Sequence, residues 1–159
     1  MEKTLSVVKP LLWLALGVGA ARFALAVAHA PRPLVYAASL TAVELGGTLY
    51  LALRIARLPE LGYRNIWLAN LILFGACQLL TLAGLAYTYG TGTPTLYHET
   101  ERLRSFLKYD PTPSEHISMH IMNWMVIAPT IATWVVGAPI VYLVRRAGGA
   151  RESDGAERA

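Results

Sequence analysis

The chain has 159 residues, of which 55% are hydrophobic and only 15% charged, whereas a typical soluble domain is about a quarter charged. Its 14 Lys and Arg outnumber 10 Asp and Glu, yet the basic residues are not interleaved with aromatics as a nucleic-acid surface requires. A soluble globular domain and a nucleic-acid partner are both excluded, and the positive excess is read as a membrane-orientation signal.

The remaining charge falls between long apolar runs. Arg22 is the one charge from Leu11 to Ala28, Glu44 the one from Leu34 to Leu53, and Ile66–Tyr87 and Ile121–Val144 have none. Runs of about 18 or more apolar residues, rising ~1.5 Å each, span the hydrocarbon core of a bilayer. The expected fold is all-α: one integral-membrane four-helix bundle over residues 1–146, with a polar, disordered tail at 147–159.

The first helix is expected at about Pro10–His29. Lys3, Lys9 and the small-residue Ala28-His29-Ala30 imitate a secretory signal, but Arg22 within the apolar run and Pro31 straight after the imitation site favour an uncleaved helix. Pro31-Arg32-Pro33 then makes a stiff turn. The second helix is expected at Leu34–Ala56, followed by a connection containing Pro59 and Gly62, and the third at Asn65–Tyr89. An outer loop over 90–112 begins with Gly90-Thr91-Gly92-Thr93-Pro94. Its apolar Leu96, Tyr97, Leu103, Phe106 and Leu107 are spaced for an amphipathic segment lying at the interface. Thr112-Pro113-Ser114-Glu115 is a helix-start signal, with Thr as cap, Pro at the first position and Glu at the third. The fourth helix is expected at Pro113–Val144, with Pro129 and Pro139 kinking it.

Counting basic residues near the helix ends sets the orientation. Lys3, Lys9, Arg54, Arg57, Arg64, Arg145, Arg146, Arg151 and Arg158 fall on one side, and Arg32, Arg102, Arg104 and Lys108 on the other. Both termini are expected in the cytoplasm, in a prokaryotic cytoplasmic membrane, with the long loop facing outward. The single Cys77 lies in an apolar run and offers no intrachain disulfide.

Candidate functional residues are the polar groups placed within the apolar runs. A charge at bilayer depth costs about 2.5–3.5 kcal/mol on insertion scales, so it faces the bundle and finds a partner. Arg22 and Glu44 fall at similar depth on neighbouring antiparallel helices, and an ion pair or shared hydrogen-bond network between them is expected. Gln78 and Asn123 join them in an intramembrane polar cluster. Ala15, Gly19, Arg22, Ala26 and His29 share one face of the first helix, as do Ala37, Thr41, Glu44 and Thr48 on the second.

All four histidines fall toward the outer side. His116 and His120 stand one turn apart on one face, a spacing that lets two imidazoles share a metal ion, and His98 is the further metal candidate. A b-type haem held by His29 and His120, with His116 as another candidate ligand, is the alternative cofactor. Gly17, Gly19, Gly46 and Gly47 would make room for a macrocycle or for close helix packing.

No phosphate-binding glycine loop, paired thiols or nucleophile–base pair is visible, so an enzyme is the less favoured reading. The leading expectation is a non-catalytic accessory or scaffold subunit of a larger membrane complex. Its partners would be the lipid bilayer and other membrane subunits or further copies of itself. The alternatives are a haem- or metal-binding electron-transfer subunit, and a membrane-embedded enzyme or binding protein for a lipid-soluble ligand around Arg22, Glu44 and Asn123.

Overall fold

A computed structural model describes residues 1–93, 95, 97 and 112–156, with side chains through 148. The described residues form helices and no strands: α1 (Glu2–Val27), α2 (Arg32–Ala37), α3 (Leu40–Ala56), α4 (Tyr63–Thr91) and one long final helix. The final helix runs as α5 (Pro113–Met119), a π-helical stretch His120–Ile127, α6 (Ala128–Ile131), a second π stretch Ala132–Gly137, and α7 (Ala138–Ala156). Four spans, Glu2–Val27, Arg32–Ala56, Tyr63–Thr91 and Pro113–Gly148, are long and apolar enough to cross a membrane. The chain has the character of an integral membrane protein.

Burial supports the same conclusion, because the polarity pattern is inverted relative to a water-soluble bundle. Trp13, Leu45, Leu79, Trp134, Val135 and Leu143 point outward, while Thr4, Glu44, Thr48, Asn70, Gln78 and Thr133 are buried. Outward apolar side chains lose nothing against lipid, whereas interior polar groups hydrogen-bond across helices.

Several boundaries differ from the sequence reading, each for a physical reason. α1 begins at Glu2 and carries Pro10 inside it, because Thr4, Val7 and Val8 are buried against the core and Asn65 Nδ2 on α4 donates to Thr4 Oγ1 at 2.9 Å. α1 stops before His29, which adopts φ 51°. There Ala30 N–H donates to Leu25 O and His29 N–H to Ala26 O, the paired bonds of a left-handed helix stop. The expected single second helix is broken at Ala38-Ser39, where the Ser39 hydroxyl accepts from Ala42 N–H at 3.2 Å and caps α3. α4 ends at Gly92, also left-handed, at φ 66°.

The Thr112 cap forms as expected, with Thr112 and Glu115 exchanging side-chain-to-backbone hydrogen bonds. The two prolines act through the π stretches. Each wide segment ends one residue before an Ala-Pro pair, so the turn facing the proline ring is already widened where the ladder loses an N–H donor. The backbone stays helical past Val144 to Ala156, through most of the expected disordered tail. Of the amphipathic segment expected in the 90–112 loop, residues 98–111 lie outside the described residues.

One end of the bundle gathers Lys3, the 57–65 connection and Arg145. The Arg145 guanidinium reaches the carbonyls of Ile55 and Ala56 at the C-terminus of α3 and those of Leu58 and Leu61 in the connection that follows. Lys3 Nζ meets Glu60 at 3.3 Å. That bond, together with a hydrogen bond to its own backbone N–H as the larger effect, holds the Glu60 carboxyl below its ordinary range. At the opposite end, Ala26, Val35, Leu85 and Tyr97 form a second small core.

Candidate functional site: a buried carboxylate beside a lateral groove

The polar residues of α3, α4 and the final helix meet in two linked networks. In the first, Glu44 Oε1 accepts from Gln78 Nε2 at 2.8 Å, and Gln78 Oε1 lies 3.0 Å from His120 Nδ1. Since the amide nitrogen faces the carboxyl group, its oxygen accepts, and His120 carries its proton on Nδ1. The His120 ring lies 5.3 Å from that of His116, centre to centre, and His116 Nδ1 is 3.0 Å from the Tyr89 hydroxyl. In the second network Thr48 donates to the Glu44 carbonyl and approaches Asn70 Oδ1, whose amide nitrogen donates to Thr133. Thr133 in turn donates to the carbonyl of Pro129, so this chain ends on the proline-disturbed part of the final helix.

Glu44 is fully buried, and its Oε2 has no hydrogen-bond partner among the described residues. Glu44 also lines a groove of about 250 Å³, with Thr41, Thr48, Phe74, Trp124 and Ala132 among the other walls. α3 packs along Ala132–Gly137 and α7, whereas α4 packs on His120–Ile127. The groove lies where α3 and the final helix part, and its rim of Leu45, Ile131, Val135 and Val136 is outward-facing and apolar. It therefore opens sideways, toward where lipid would lie, rather than toward an end of the bundle.

The sequence-predicted residues are only partly brought together. Glu44 and Gln78 pair, and His120 joins them. Arg22 does not: the expected Arg22–Glu44 ion pair is absent, and the ion pair formed between described residues is Lys3–Glu60. The Arg22 guanidinium instead lies 5.6 Å above the ring of Tyr97, which folds back over Gly84 into the small core. Cation–π contact in a half-buried site competes with a carboxylate one helix away. Burial pushes the Tyr97 phenol up, with the nearby Arg22 charge opposing the shift. Asn123 also departs from the expected cluster, being exposed on the final helix, because the π stretch shifts the face that a regular 3.6-residue repeat predicts.

The cofactor candidates fare similarly. His98 lies outside the described residues. Among the described ones, no group of three or more His, Cys, Asp or Glu is placed to hold a metal ion. His116 and His120 turn to Tyr89 and Gln78, and the exposed His29 serves the left-handed stop after α1. The space expected for a macrocycle at Gly19 and Gly47 is filled by Leu80 and Leu73 of α4, so close helix packing is what these glycines permit.

Tyr97, Thr133 and the groove wall Phe74 were not singled out by sequence reasoning. Tyr97 was recognisable as apolar in a polar loop, but its contact with Arg22 depends on a fold-back that no local pattern announces. Comparison with protein-family models, curated proteins and solved structures finds no match for this chain.

Proposed function

We propose that this chain is a membrane-embedded binding protein for a lipid-soluble ligand that enters the groove beside Glu44 from the side. The observation that carries the reading is the unpartnered Oε2 of a fully buried carboxyl group lining an apolar, laterally open groove. A buried acceptor left without a donor costs about 1–3 kcal/mol, and an ionisable side chain at membrane depth is characteristically a functional group. A ligand donating one hydrogen bond would recover that energy. Gln78, itself locked to His120, keeps the carboxyl group oriented before the ligand arrives, which lowers the ordering cost of binding.

In the same reading the end bearing Lys3, Arg54, Arg57, Arg64, Arg145 and Arg146 faces the cytoplasm of a prokaryotic cell, with both termini there. Reporter fusions to the C-terminus, active only on one side of the membrane, test that orientation.

The groove is tested with a photoactivatable alkyl probe on the protein in lipid nanodiscs. Crosslinks are expected to concentrate at Thr41–Thr48 and Trp124–Val136, and to disappear in Ala128→Phe, which fills the groove away from the carboxyl group. An accessory subunit forecasts a different result: crosslinks spread evenly over the outward faces, and a stoichiometric protein partner that survives purification. An even spread that Ala128→Phe leaves unchanged would overturn the groove reading.

A further inference from the structure

The chemistry around Glu44 narrows the class of ligand, an inference that rests on the groove reading above. Its carboxyl group receives one neutral donor, the Gln78 amide. The cation best placed by sequence to neutralise it, Arg22, is committed to Tyr97, and no described Lys or Arg forms an ion pair with Glu44. The two histidines of the network meet other side chains, His120 that of Gln78 and His116 that of Tyr89, and Cys77 of α4 is a buried thiol, adding no positive charge. A neutral hydroxyl in the groove would give Oε2 one hydrogen bond but supply nothing to hold the carboxyl group in its charged form, which a buried site otherwise disfavours. A cation carrying an N–H would do both. The groove walls favour the same choice, since Phe74 and Trp124 present aromatic surface to the space Glu44 lines and aromatic faces attract cations most strongly where water is excluded.

We propose that the groove receives a lipophilic ammonium, its N–H donating to Glu44 Oε2 and its carbon chain passing the aromatic walls toward lipid. The bound pair holds one proton between the two groups: a neutral carboxyl group that meets an ammonium from water releases one proton to solvent, and a carboxylate that meets the same ammonium releases none. Glu44 lies midway along the apolar span Arg32–Ala56, away from the level of a lipid headgroup at either end, so the occupant is a free amphiphilic amine. A groove of about 250 Å³ is small beside typical ligand pockets of ~300–1,000 Å³. It therefore takes the headgroup and the first carbons and leaves the tail in the bilayer.

The test compares decylamine with decanol, binding to the full chain in phosphatidylcholine nanodiscs by equilibrium dialysis, with empty discs subtracting simple partitioning. Saturable decylamine binding at least tenfold tighter than decanol is expected, falling at least tenfold in Glu44→Gln with helicity and thermal midpoint retained. Ala128→Phe, which leaves the carboxyl group untouched, is expected to block binding too and stands in should Glu44→Gln fail to fold. Equal, groove-dependent binding of both probes would overturn the ammonium inference and leave the groove reading standing. Saturable binding of neither would overturn both. Loss of decylamine binding in phosphatidylethanolamine discs would show a headgroup ammonium occupying the site and overturn the free amine.

Discussion

Replacing Gln78 by Leu removes the one side chain that joins α3 to the final helix through Glu44 and His120. Gln78 is 5% exposed, so Leu is accommodated in an interior site of similar volume and the principal loss is two hydrogen bonds. Interhelical hydrogen bonds in membrane proteins average about 0.6 kcal/mol and reach about 1.7, which puts the pair at roughly 1–3 kcal/mol. The upper part of that range is favoured here because Glu44 would retain no side-chain partner on either oxygen, and an orphaned buried group costs more than an average bond yields. His120→Ala severs only the second bond and is expected to cost less than Gln78→Leu. In a double-mutant cycle with Glu44→Leu, the second substitution should be far less damaging than the first, since an apolar pair leaves no orphan. Denaturant-induced unfolding in mixed micelles, followed by circular dichroism, supplies all four stabilities of the cycle. Additive effects, or a Gln78→Leu variant as stable as the parent, would refute the assignment of Gln78 as the link.

Arg145→Ala should destabilise by about 2 kcal/mol, because charge-assisted bonds to the carbonyls of Ile55, Ala56, Leu58 and Leu61 are each worth ~1.5–3 kcal/mol before solvent screening of a half-buried group. Arg145→Lys should recover about half in the same unfolding assay, since an ammonium cannot spread across four carbonyls as a guanidinium does. His29→Gly should raise stability by roughly 0.5–1 kcal/mol, because a non-glycine residue at φ 51° is strained and Gly is not; a loss of stability or of a bound chromophore would instead make the ring a functional ligand. The Lys3–Glu60 contact should matter only when Glu60 is ionised. With its carboxyl held below the ordinary value of 4.5, the stabilisation is present above that pH and lost as pH falls through the depressed value. The stability gap between the parent and Glu60→Gln should therefore close on acidification, and a gap that persists in acid would show that the ion pair is not its source.

Apolar runs with at most one charge each, and their lengths, sufficed to establish four helices of membrane-spanning size, because a backbone in lipid must satisfy its own hydrogen bonds and helix length follows from bilayer thickness. Local capping chemistry was equally legible where it was complete, as at Thr112-Pro113-Ser114-Glu115, since cap and partner lie within one turn. Ser39 carried the same kind of signal inside an apolar run and was passed over, so the break between α2 and α3 went unread. Of the candidate site, depth and periodicity put Glu44 and Gln78 in one polar cluster, but with Arg22 rather than Gln78 as the expected partner of the carboxyl group.

The pairing of charges did not, because it depends on which faces turn toward each other after the helices pack. Depth placed Arg22 beside Glu44, but packing turned it to Tyr97, a residue from a loop rather than from a neighbouring helix. Asn123 fell on the polar face of an ideal helix, and the π turns ahead of Pro129 rotated it outward. The groove is wholly tertiary: it exists because α3 and the final helix diverge above Ala132, and no single segment carries that information. The sequence by itself determined that a carboxyl group would be buried at membrane depth, since nothing else on that helix face is charged. Only the fold decided that one of its oxygens would be left beside open apolar space without a donor.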